Sequence, residues 1–170
     1  MVDQILGAAE IHVPRTGGTS RTETLRSAGL AFKSGRWHAT ANWNSRTYPK
    51  WQEWFTWSFR RDPHEVVLST YFYRLNKLTE PNVHIIPSGI SFNEWVSIMG
   101  TVETKETPAW ARGLEIRTHL PYWLVNGKPG IKVLYSFDDM ESAWNEITDR
   151  LGVPGIELPH TNGAAASEGH

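Results

Sequence analysis

The chain of 170 residues contains no cysteine, which excludes disulfides, thiolate metal sites and a cysteine nucleophile. It also lacks an excess of either charge: 17 Lys and Arg stand against 18 Asp and Glu, for a formal net charge of −1. Bulk attraction to nucleic acid or to a membrane surface is therefore not expected, and any anion site must be built locally. No run approaches the about 20 apolar residues that span a bilayer. Residues 1–9 carry Asp3 and no basic stretch, so no signal peptide is expected. Together with the missing cysteines, this points to a cytoplasmic protein. The 7 histidines are scattered, without a His-x-x-x-His pair, so no metal is expected either.

What is present is a globular composition, 39% hydrophobic and 21% charged. The 9 tryptophans are many for this length. The chain has no internal repeat and no linker that divides it. It reads as one domain over residues 1–162, with a small, polar tail at 163–170 that reads as disordered. Residues 5–13 read as a first strand ending at Pro14. Residues 19–27 then look helical, stopped near Gly29. Residues 30–33 suggest a short second strand and residues 54–59 a third. Asp62 can cap the next helix, with Pro63 in its first turn and Glu65 as a capping-box acid. Val67, Tyr71, Leu75 and Leu78 follow at helical spacing. A second capping box opens at Ser91 and Glu94, followed by Trp95, Val96 and Met99. Residues 131–137 suggest a late strand. Asp139 can cap a last helix with the apolar stripe Met140, Trp144, Ile147 and Leu151, ended by Gly152. Strands alternating with helices predict a three-layer α/β/α domain with a mainly parallel central sheet.

The most informative segment is Ile11-His12-Val13-Pro14-Arg15-Thr16-Gly17-Gly18-Thr19-Ser20. A strand runs into a glycine pair and then a helix. Glycine lets backbone approach an anion closely, and amides at a helix start point at it with the dipole favourable. Thr16, Thr19 and Ser20 add hydroxyls, and Arg15 adds a permanent cation. A Walker A motif is absent, so a kinase or nucleotide triphosphatase is disfavoured. Residues Pro14, Arg15, Thr16, Gly17, Gly18, Thr19 and Ser20 resemble the 5′-phosphosulfate loop of the carbohydrate-type sulfotransferases that use 3′-phosphoadenosine 5′-phosphosulfate (PAPS). Their usual loop reads Pro-Lys-Thr-Gly-Gly-Thr-Ser, so Arg15 stands where the family has lysine. The resemblance implies a P-loop-type nucleotide-binding fold. It also implies transfer of a sulfuryl group to a hydroxyl, with 3′-phosphoadenosine 5′-phosphate (PAP) as product and no metal.

A second segment, Arg61-Asp62-Pro63 followed by Ser69 and aromatic Tyr71, resembles the family's 3′-phosphate element. By that resemblance Arg61 and Ser69 would bind the 3′-phosphate. Val66 stands where many members carry a further arginine. Weaker echoes are Tyr135-Ser136-Phe137-Asp138-Asp139-Met140 and Leu158-Pro159-His160-Thr161-Asn162.

Sulfuryl transfer calls for a base of near-neutral pKa to take the hydroxyl proton, and histidine suits that task. His12, His38, His64, His84, His119 and His160 are candidates. His38 is preferred, because His38-Ala39-Thr40-Ala41 resembles a segment lying between the two motifs in relatives, where a histidine is the base. Glu10 or Glu65 remain alternatives. Arg15 and the loop amides would stabilise the leaving phosphate. The residues do not name the acceptor; the resemblance implies a carbohydrate or other small molecule. Trp37, Trp43, Trp51, Trp110 and Trp123 are candidate stacking surfaces, and residues 82–122 read as acceptor-side loops. The short length suggests a minimal acceptor site, or a homo-oligomer whose interface completes it. The competing reading is a non-catalytic nucleotide- or phosphate-binding module of the same fold.

Overall fold

The computed structural model describes residues 1–33, 38–76, 86–87, 89–99 and 119–159. The expected tail at 163–170, Trp37, Trp110, Leu78, His84 and His160 lie outside the described residues, as does most of the stretch 82–122. The chain forms two compact units, one of residues 1–61 and 119–163, the other of residues 62–118 and 164–170.

The first unit is mixed α/β around a four-stranded, mostly parallel sheet. Strands β1 (Val2–Asp3) and β2 (Ala8–Ile11) pair antiparallel, while β2 pairs parallel with β3 (Phe55–Arg60). Strand β6 (Val133–Ser136) adds to β3, also in parallel. The expected strand over 5–13 is therefore interrupted. Asp3 Oδ1 accepts the amides of Ile5 and Leu6 at 3.0 and 3.1 Å, an Asx-type turn that folds the chain back before β2 starts. Residues 30–33 form no strand, only a single bridge from Lys33 to Val2.

Side chains alternate across the sheet, as strand geometry requires. Ala8, Trp57 and Phe59 pack on one face with Leu25 of helix α1 (Gly18–Ser27) and with Ala143, Trp144 and Ile147 of helix α6 (Met140–Arg150). Ala9, Ile11 and Val13 pack on the other with Ala41 of helix α2 (Ala41–Thr47), Trp51 of a short 3-10 turn and Tyr122 of helix α5 (Leu120–Trp123). Helices thus cover both faces, as a three-layer arrangement does. Each fully buried large apolar side chain contributes about 1.5–3 kcal/mol. A small hairpin of β4 (Leu124–Val125) and β5 (Lys128–Pro129) follows α5.

Both long helices of this unit end as the glycines predict. Gly29 and Leu30 donate to the carbonyls of Arg26 and Leu25, and Gly152 and Val153 to those of Asp149 and Thr148, the paired bonds of a Schellman stop. The start of α6 differs from expectation. Asp139 sits at the cap position without a side-chain bond, because residues 137–139 are wound into a 3-10 turn that Ser136 caps through the Asp138 amide. Helix α2 was not foreseen. Thr40 accepts the Trp43 amide at 3.2 Å and starts it.

The second unit holds helix α3 (Pro63–Asn76) and helix α4 (Phe92–Met99). Asp62 caps α3 and Ser91 caps α4 through the Glu94 amide, as expected. Tyr71 and Trp95 form its core with Ile86, joined by Val67, Leu75, Ile90 and Phe92. Val96 is exposed, whereas its neighbour Trp95 is buried. No described helix is long and apolar enough to cross a membrane.

Candidate functional site

A loop of residues 12–17 joins β2 to α1, and three unusual backbone conformations lie in it or, at His38, against it. Gly17, the cap residue, has φ 74°, which favours glycine. Arg15 and His38 have φ 64° and 57°, strained for residues with a Cβ. Such strain persists only where surrounding contacts impose it, and here those contacts can be named. The Arg15 carbonyl accepts Arg61 Nη1 at 3.1 Å. The Thr16 carbonyl accepts Arg21 Nη1. The Thr16 hydroxyl is buried and donates to the Val13 carbonyl at 2.8 Å, so in this conformation it faces inward.

Gly18 is needed for a different reason. A Cβ there would lie 2.3 Å from His12 Cδ2, so the first turn of α1 rests directly on the His12 imidazole. The ring of His38 meets the same imidazole edge-on at 4.9 Å. Helix start and His38 are therefore brought together over one buried histidine. Burial pushes the His12 pKa down to about 4, against the opposing pull of Glu10, so His12 is neutral near pH 7.

His38 is exposed, and its Nδ1 lies 3.2 Å from the His12 carbonyl. A carbonyl only accepts, so Nδ1 carries the proton in that bond. In a neutral ring of that tautomer the lone pair is on Nε2. Among the other candidates, His64 is almost wholly exposed at the start of α3 beside Asp62. His119 is half-buried with its pKa lowered by desolvation. Glu10 lies fully buried in β2 and is ion-paired to Arg21.

The cap of α1 makes no side-chain hydrogen bond, and its first turn holds no acid. Arg21 is ion-paired to Glu10, and Arg61 joins the loop at the Arg15 carbonyl. Arg61 also places its guanidinium 4.5 Å from the Phe137 ring centroid, and Phe137 would touch a Cβ at Gly17 at 3.6 Å. Pro14 and Arg15 are partly exposed, Thr19 is exposed and Ser20 is buried. Arg15, Thr16, Gly17, Gly18, His38 and Arg61 are thus joined around one loop of the first unit. Ser69 is half-buried on α3 and belongs to the second unit. Among the candidate stacking residues, Trp51 is core and donates Nε1–H to the Gly130 carbonyl at 2.9 Å. Trp43 and Trp123 keep partial exposure.

Two features escaped the sequence reading. One is the Glu10–Arg21 pair. Its only local sign was a cation in the first turn of a helix, where the dipole is unfavourable and a specific partner is implied. The other is Phe137 beneath Arg61, which carried no sign at all. No protein-family model, curated protein or solved structure matches this chain.

Proposed function

We propose that this chain is a sulfotransferase that moves a sulfuryl group from PAPS to a hydroxyl of a carbohydrate or other small molecule. The observation that carries the reading is the junction at the start of α1. There a helix N-terminus with no acid in its first turn and a strained arginine meet a histidine with Nδ1 directed at a carbonyl. A helix start of this kind favours a phosphate or sulfate group, and the motif resemblance names which nucleotide bears it.

PAPS, the co-substrate, supplies the sulfuryl group. On this reading the acceptor hydroxyl attacks sulfur while His38 Nε2 takes its proton. The new oxygen–sulfur bond forms as the bond from sulfur to the bridging phosphate oxygen breaks. The electron pair leaves with the 5′-phosphate of PAP, where Arg15 and the amides of Gly17 and Gly18 would meet the growing charge. Arg61 would hold the 3′-phosphate. The assignment of Ser69 to that phosphate rests on the motif resemblance alone.

Thermal unfolding with PAP and with ATP–Mg²⁺ tests the nucleotide. PAP at 100 times its dissociation constant should add about 2.7 kcal/mol of stability. Stabilisation by ATP–Mg²⁺ in its place would overturn the reading. Replacing His38 by alanine should lower sulfated product formation by about 10²- to 10⁴-fold, with PAP affinity nearly unchanged. Unaltered turnover would move the base elsewhere. PAP binding without transfer to any of a broad hydroxyl panel would leave a binding module.

A further inference from the structure

The Arg21–Glu10 pair lies beneath the loop, and both side chains are 0% exposed. Burying two charges costs several kcal/mol of desolvation, and such pairs can often be replaced by apolar residues without loss of stability. Stability alone is therefore a weak reason for this one. Its geometry suggests another. Arg21 Nε donates to Glu10 Oε1 at 3.1 Å, and Nη2 donates to the same oxygen. The guanidinium carbon stacks 4.0 Å from the Phe59 ring centroid. Nη1 remains, and it donates to the Thr16 carbonyl. Glu10 and Phe59 thus fix the arginine, and the arginine fixes a loop peptide.

The consequence follows from peptide planarity. In a trans peptide the carbonyl and the following N–H point in opposite directions. With the Thr16 carbonyl held toward a fully buried guanidinium, the Gly17 N–H is turned away from the core. We infer that Arg21, held by Glu10, is a positioning residue that presets the loop with its Gly17 amide outward, ready for an anion. The anion's identity rests on the sulfotransferase reading; the clamp itself does not.

The test uses the full chain in two forms, the double variant Glu10→Met/Arg21→Met and the single variant Arg21→Lys. The first removes both charges together. The second keeps the ion pair, but its compact ammonium lacks the fork that reaches Glu10 and Thr16 at once. Two readouts are taken: ¹⁵N relaxation of the Thr16, Gly17 and Gly18 amides without ligand, and PAP affinity by calorimetry. Wild-type order parameters should lie near the rigid value of about 0.85 and fall below about 0.6 in the variants. PAP affinity should weaken on the order of 10- to 100-fold, even where the melting temperature is kept.

Rigid loop amides in a folded variant would overturn the clamp. Mobile amides with unchanged PAP affinity would overturn its link to binding. If the wild-type chain does not bind PAP, the sulfotransferase reading falls, and the ligand-free relaxation data still decide the clamp. If the double variant fails to fold, Arg21→Lys carries the same two readouts.

Discussion

At the start of α3 the Asp62 carboxylate accepts the His64 and Glu65 amides at 2.8 and 3.3 Å, whereas at the start of α1 the cap is Gly17, which has no side chain. Helix α3 supplies its own anion and adds Glu65 in its first turn. Helix α1 has no acid there, and its neighbours Arg15 and Arg61 are cationic. The positive end of a helix dipole acts at both starts. One start is neutralised from within the chain. On the proposed reading, the other takes its anion from outside the chain. A strand–turn–helix is therefore not by itself a ligand site; the proposed reading rests on the difference between the two caps.

Substitutions at the two starts test this contrast, and the largest effect is expected at Gly18. Gly18→Val drives a side chain into the His12 ring, and overpacking of this kind costs about 3 kcal/mol. Urea unfolding should show the loss directly. A variant of native stability that has lost only PAP binding would mean that Gly18 serves the ligand rather than His12.

Arg61→Ala removes a charge-assisted bond worth about 1.5–3 kcal/mol. PAP affinity should fall at least about tenfold, and that of adenosine 5′-phosphosulfate, which lacks the 3′-phosphate, by less. An equal fall for both would confine Arg61 to holding the Arg15 carbonyl.

A pH effect of similar size should come from beneath α1. Burial holds the His12 pKa at about 4, below its ordinary 6.5. As pH falls, the unfolded chain therefore takes up this proton first. Stability is complete above pH 6.5 and erodes between 6.5 and 4, by about 2 kcal/mol at pH 5. Urea midpoints for wild type and His12→Asn should converge as pH is lowered through this window, and parallel curves would remove His12 from the account. The smallest effect belongs to α3. Asp62→Ala should cost about 1 kcal/mol in stability and leave PAP affinity unchanged. A loss of affinity would mean that the two helix starts are not independent.

Much of this architecture was legible where local chemistry decides it. Pro14, Gly17 and Gly18 mark the turn into α1, Asp62 marks the start of α3, and Met140 to Gly152 carry stripe and stop for α6. Each signal works over a turn or two of chain and needs no distant partner. The reading failed where a nearby side chain redirected the backbone, as Asp3 does before β2 and Thr40 does at α2. Periodicity ignores such bonds.

The amino-acid order alone specified an α/β chain with a glycine-bearing helix start, because caps, turns and apolar spacing are short-range effects. Folding alone could bring His12 under Gly18, set His38 against the His12 carbonyl and join Arg21 to Glu10. Those contacts depend on how β2 lies against α1, and on the loop that brings His38 back to them. No local preference encodes that register, since it is settled only when the whole core packs.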